Sequence, residues 1–239
     1  MASVAVFDPC YMATLRPDDA DCALQVLRAL GDEPALVDGR CCGQPAFNSG
    51  YRDEAKTVGR QLLKAARPHD TVVVLSGSCT AMVRHYLPAL WEGSRRAGGE
   101  RLSGRFVDFV SYVAKHPNVE RLGLKLDGVV AYHDSCHGRR ELGITGLALE
   151  LLGRVQGLEV RRLGYEEECC GFGGTFAVKE PEISVAMMTA KLADVSRTGA
   201  RVLVSADYSC LAHLEAGAKG LGLTLETWTM AELLSRALE

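Results

Sequence analysis

The chain has 239 residues, 47% of them apolar and 24% charged, with a formal net charge of −3. That composition belongs to a globular protein large enough for a real core, and its interspersed acids and bases supply neither a basic stripe for nucleic acid nor a polybasic membrane anchor. No apolar run approaches the roughly 20 residues that span a bilayer and the N-terminus lacks a basic, signal-like region, so a cytoplasmic location is expected.

In chain order, SVAVF (3–7) predicts a buried strand that leads to Cys10. DCALQVLRAL (21–30) has helical periodicity with Cys22, Val26 and Leu30 on one face, which assigns Cys22 to packing. CCGQPAF (41–47) precedes a helical pattern near Glu54, and TVVVL (71–75) predicts a second strand followed by SGSC and the helix TAMVRHYLPALW. After FVDFVSYV (106–113), the polar stretch 114–127 is expected to link two halves, 1–115 and 126–239. GVVAYH (128–133) predicts a third strand, running into DSCH; ECCGFGGT (168–175) precedes the helical VAMMTAKLADV, where Met187 and Met188 are read as packing residues. ARVLVSA (200–206) predicts a fourth strand, followed by DYSC and a helix. Strands alternating with helices indicate βαβ units and a parallel sheet, hence an α/β fold.

The sequence also repeats itself. Cys10, Cys41, Cys42 and Cys79 recur as Cys136, Cys169, Cys170 and Cys210, at offsets of 126, 128, 128 and 131. Glu54 and Glu182 each lie eleven residues past their CCG glycine, and FVDFVSYV resembles TWTMAELL at the chain's end. Matching order over more than a hundred residues predicts an internal duplication: two similar halves with parallel sheets, related by a pseudo-twofold axis.

In parallel sheets, ligand sites collect in the crevice at the strands' carboxyl ends, where Cys10, Cys79, Cys136 and Cys210 are placed. Reduced cysteines in such a pattern hold metal or do redox chemistry rather than form structural disulfides. Cys79 and Cys210 also open predicted helices, whose dipole favours the thiolate that metals need. Four cysteines suit zinc as well as an iron–sulfur cluster; a thiol–disulfide enzyme is a weaker reading, because adjacent cysteines make strained disulfides. Near Cys136, His133, Asp134 and His137 are candidates for metal-tuning groups, a proton relay or a substitute ligand, or else polar groups satisfying a turn. Ser76 and Asp207 are read chiefly as helix N-caps. The GFGG stretch lacks the register of a dinucleotide fingerprint.

The stretches CCGQPAFNSGYRDEA, SGSCTAMV, YHDSCH, CCGFGGTFAVKEPEIS and VLVSADYSC, in that order, resemble the cysteine-rich CCG domain family, which includes iron–sulfur subunits of heterodisulfide reductase, glycolate oxidase and lactate-utilization systems. The resemblance covers essentially the whole chain. It implies an iron–sulfur electron-transfer subunit of a complex oxidising L-lactate or glycolate, partnered by flavin or ferredoxin-type subunits. It also implies that Cys10, Cys41, Cys42 and Cys79 in one half, and Cys136, Cys169, Cys170 and Cys210 in the other, are the cofactor and metal ligands. The family motif ends in CxxC, whereas this chain has Ser76 with Cys79 and Asp207 with Cys210. That leaves four thiolates per half, the number that commonly binds a 4Fe–4S cluster, with zinc in one half as the alternative.

Overall fold

The computed structural model describes residues 3–37 and 41–238, so the outermost bounds of the expected halves, 1 and 239, lie outside the described residues. The structure is α/β, with two four-stranded sheets. The first, in the order β2-β1-β3-β4, contains β1 (Val4–Phe7), β2 (Ala35–Leu36), β3 (Thr71–Val74) and β4 (Phe106–Asp108). The second, β6-β5-β7-β8, contains β5 (Lys125–His133), β6 (Gln156–Arg162), β7 (Val202–Ser205) and β8 (Glu226–Thr229). Every pairing within the two sheets is parallel.

The four strands expected from apolar runs are the inner ones, β1, β3, β5 and β7. Inner strands of a parallel sheet are covered on both faces, so their side chains are apolar without alternation. The four outer strands carry no such run. β2 is two exposed residues, and β6 displays Glu159, Arg161 and Arg162 along an edge, where charge discourages pairing with another chain.

Side chains of β1 and β3 alternate between two cores. Ala5, Phe7, Val72 and Val74 pack with Leu62, Leu63 and Leu87 in a core local to the first half. Val4, Val6, Leu27, Val73 and Leu75 join a larger core that continues into the second half through Leu151, Leu203 and Leu233. The helix Asp18–Ala29, which follows β1, packs on the last helix, Met230–Ala237. Reciprocally, the helix Thr145–Gly153, which follows β5 in the second half, packs on Phe109–Ala114 of the first. This exchange of equivalent contacts is the pseudo-twofold relation.

The likeness of FVDFVSYV to TWTMAELL is a shared strand–cap–helix. Asp108 Oδ1 accepts from the Ser111 N–H at 2.8 Å, and Thr229 Oγ1 from the Glu232 N–H at 3.1 Å. Each cap satisfies one of the amides that a helix start leaves unpaired. Between the halves, β5 begins at Lys125, and Val119 and Leu124 of the connecting stretch are buried in the shared core.

Candidate metal centre

The repeat puts equivalent cysteines on equivalent elements. Cys10 and Cys136 each stand three residues past the end of an inner strand, β1 or β5, and Cys79 and Cys210 each five residues past β3 or β7. The pairs Cys41–Cys42 and Cys169–Cys170 follow the outer strands β2 and β6. All eight side chains line one cavity of about 280 Å3, which spans the pseudo-twofold axis. A water-sized site needs only about 10–15 Å3 by the same measure, so there is room for more than a single ion.

Gly43 and Gly171 both lie at φ +89°, in the left-handed region. A Cβ on Gly43 would lie 2.9 Å from the Ala55 carbonyl oxygen, and one on Gly171 would lie 2.5 Å from that of Ser184. The third residue of each CCG is therefore glycine for two reasons, backbone conformation and the close approach of a helix. Those helices, Arg52–Ala65 and Pro181–Thr198, are the ones that Glu54 and Glu182 help to begin. Ser184 also ties the second loop down, its hydroxyl donating to the Gly171 carbonyl at 2.8 Å.

Within each half the thiols form a chain of contacts. Cys42 Sγ lies 3.3 Å from Cys79 Sγ, and the Gly43 and Gly171 amides each donate to Cys41 and Cys169 Sγ at 3.4 Å. Cys41 is held far below the usual thiol range, first by a hydrogen bond from Cys10 and then by one from Cys42. Cys169 is lowered in the same way by Cys136 and Cys170. Cys10, Cys42, Cys136 and Cys170 are pushed up correspondingly. Each half thus stabilises one thiolate among neighbouring thiols. Clustered sulfur of this kind is a soft donor set, suited to iron–sulfur clusters or zinc.

Ser76 and Asp207 meet at the axis. Ser76 Oγ caps its own helix, accepting from the Cys79 N–H at 3.4 Å, and donates to Asp207 Oδ1 at 3.2 Å. Asp207, expected as an N-cap, does not cap its own helix: its Oδ2 accepts from the Ser78 N–H of the other half at 2.8 Å. The two positions that would carry an extra cysteine instead stitch the halves together.

The three polar residues around Cys136 separate in role. Asp134 turns away to Arg139, at 2.9 Å, and Thr145, at 2.6 Å. His137 lines the cavity, with Nδ1 3.6 Å from Cys136 Sγ and Nε2 3.3 Å from Gln44 Nε2 of the other half. His133 is fully buried, with neither ring nitrogen partnered among the described residues, an arrangement that costs about 1–3 kcal/mol for an unsatisfied group. Burial first, and then the nearby Lys191, lowers its pKa to about 4, so the ring is neutral.

Cys22 does not reach the cavity. It is half-buried, packed against the shared core. Met188 is buried, and Met187 lies half-buried over Gly171. Gly173 and Gly174 line the cavity rim, at φ +51° and +61°. An aromatic contact beside the cavity was not legible in the sequence: Tyr11 of the first half has its ring 5.8 Å from both Phe172 and Tyr208 of the second. Each flanks one of the repeated cysteines, but nothing in the spacing shows that the rings meet, and only the fold brings them together.

A family model described as a cysteine-rich domain, CCG, matches residues 4–84 and again 130–215. The chain belongs to the cysteine-rich CCG domain family. Its relatives within CCG include lactate utilization protein A 2 of Bacillus cereus (strain Q1), 33% identical over 238 residues and covering 98% of each chain. Lactate utilization protein A of Macrococcus caseolyticus (strain JCSC5402) is 34% identical over 239 residues, covering 99% of this chain and 97% of the relative. Among solved structures, a hypothetical protein from Helicobacter pylori superimposes with a TM-score of 0.67 at 9% identity. The match covers 98% of this CCG chain and 49% of that one, and it speaks to the fold alone. Among the described residues of the CCG protein, no helix is long and apolar enough to cross a membrane.

Proposed function

We propose that this CCG protein is a cytoplasmic iron–sulfur electron-transfer subunit of a complex that oxidises L-lactate or the closely related glycolate. The observation that carries the reading is the convergence of two complete four-cysteine sets on one cavity, in a chain similar along its whole length to proteins named for lactate utilization. Cys10, Cys41, Cys42 and Cys79 would hold one centre and Cys136, Cys169, Cys170 and Cys210 the other, in halves taken as 1–115 and 126–239. A bound 4Fe–4S cluster supplies one-electron transfer.

The chain's own part is to hold one thiolate per half ionised and the other sulfur ligands in place. The Gly43 and Gly171 amides stabilise the thiolates of Cys41 and Cys169, and hydrogen bonds to sulfur are among the levers that set a cluster's potential. Oxidising a 2-hydroxy acid removes a hydride from the α-carbon and a proton from the hydroxyl, which needs a hydride acceptor such as a flavin or nicotinamide and a base for the proton. That step is assigned to a flavin-type partner subunit, and this chain, with any ferredoxin-type partner, to the one-electron relay.

Anaerobically purified protein is expected to contain iron with comparable acid-labile sulfide, and Cys170→Ser to lose the metal of the second half, while Cys22→Ala keeps the full complement. The chain alone, mixed with L-lactate and an artificial one-electron acceptor, is expected to show no sustained turnover. Stoichiometric zinc without sulfide would overturn the iron reading in favour of a structural zinc subunit.

A further inference from the structure

The two halves of the cavity are not chemically equal. At the last residue of β1 stands Phe7, and at the equivalent last residue of β5 stands His133. The registers confirm the equivalence: Phe7 pairs with Val74 at the end of β3, and His133 with Ser205 at the end of β7. Phe7 is an ordinary core residue, fully buried in the cluster that includes Cys42. His133 is equally buried, but it brings two polar nitrogens into that place, and neither has a hydrogen-bond partner among the described residues.

Two other charged side chains buried in this half, Lys191 and Asp194, are bonded. Lys191 donates to the Tyr165 carbonyl, and Asp194 accepts from the Gly164 and Tyr165 amides at 3.1 and 2.8 Å. His133 instead has sulfur for neighbours: one ring nitrogen, Cys170 Sγ and Cys210 Sγ all lie within 4.8 Å of one another. Ligands on one tetrahedral ion, with metal–nitrogen bonds near 2.0–2.1 Å and metal–sulfur bonds near 2.3 Å, stand roughly 3.5–4 Å apart. A closure of at most about 1.3 Å would therefore bring the three atoms onto one ion.

We infer that His133 is a nitrogen ligand to the metal centre of the second half, acting with Cys170 and Cys210, so that the first centre is held by sulfur alone and the second by sulfur and nitrogen. Coordination gives the buried ring the partner it lacks. It also makes the centres inequivalent, because histidine ligation raises the potential of an iron–sulfur centre relative to cysteine. The second half would then be the electron sink of the pair. That consequence rests on the iron–sulfur reading, in which the three side chains would bind separate irons of a cluster, whereas the one-ion geometry applies to a mononuclear metal such as zinc or Co2+.

The test uses the full-length chain carrying Cys41→Ser and Cys42→Ser, which confines loading to the second half, with histidine labelled by nitrogen-15. One sample is reconstituted anaerobically with iron and sulfide, and a second is loaded with Co2+ alone. Pulsed EPR is expected to show the hyperfine coupling of a directly bound histidine nitrogen. His133→Phe, a side chain that the first half accommodates at the same place, should abolish that coupling and weaken Co2+ binding at least about tenfold. His137→Phe should leave the coupling in place.

A loaded centre without histidine coupling, or a coupling that survives His133→Phe and disappears with His137→Phe, would overturn the assignment. If iron and sulfide fail to assemble but the Co2+ sample shows the His133 coupling, the ligand assignment stands and the iron–sulfur reading falls. If folded protein, checked by circular dichroism, binds neither, both fall.

Discussion

Gly171 shows how narrowly single residues are constrained around the cavity. It combines φ +89° with a backbone oxygen 2.5 Å from where a Cβ would sit, and the Met187 Cβ at 2.9 Å. Strain in the left-handed region costs about 1–3 kcal/mol, and the contact with Ser184 cannot be relieved by a rotamer change. Gly171→Ala is expected to lower stability by at least that amount and to halve the metal bound per chain. Gly174→Ala, at φ +61° with open space around it, should cost only the backbone strain and keep the metal; equal metal loss in both would refute the role given to the helix contact.

Asp19 carries a pH dependence at the same scale. It is 2% exposed, and burial, outweighing Arg16 at 3.8 Å, raises its carboxyl to about 6. The unfolded carboxyl ionises near pH 4. Between about pH 4 and 6 the folded state therefore binds more protons, and its stability falls as the pH rises. Urea midpoints of the metal-free protein should decline over that window, and Asp19→Asn should flatten the decline. An unchanged slope in the variant would show that other groups set it.

At the scale of elements, the exchanged helices carry the association of the halves. Leu27 on Asp18–Ala29 and Leu233 on Met230–Ala237 are both fully buried in the shared core. Truncating either to alanine should destabilise the protein by about 2–5 kcal/mol, the range for large-to-small changes in a core. Leu36→Ala, on the exposed edge strand β2, should stay within about 0.5 kcal/mol. Denaturant midpoints at constant slope would measure both, and a small effect at Leu27 would mean that the helix pair is not a structural joint. Strand legibility follows the same physics. The inner strands are readable as β-branched runs because both their faces are covered, while β4 and β8 stand out only as matching segments, because three or four residues beside a helix cap carry little periodicity of their own.

At the scale of the whole molecule, the larger core draws on both sheets, and Asp207 and Ser76 bridge the halves at the cavity floor. Duplicated halves joined in this way should unfold together. Metal-free protein is expected to give one calorimetric transition, with equal calorimetric and van't Hoff enthalpies, and fragments 1–115 and 126–239 should each fail to fold cooperatively, because each would expose its side of the shared core. Two separable transitions would show that the halves are independent domains.

The sequence by itself determined the α/β class, the duplication and the eight cysteines, because each is written in local signals: β-branched runs, a repeated order, and a residue type whose chemistry is unusual wherever it falls. It also marked Ser76, Asp207, His133 and His137, but left each with more than one role. Only the tertiary structure decided between them. Whether Asp207 caps its own helix or its neighbour's, whether Asp134 faces the sulfur or an arginine, and whether a buried histidine finds a partner all depend on contacts between segments about 130 residues apart or on opposite sides of a turn. The aromatic contact of Tyr11 with Phe172 and Tyr208 is the limiting case, since each residue flanks a cysteine in the chain but the rings become neighbours only when the pseudo-twofold packing closes the crevice.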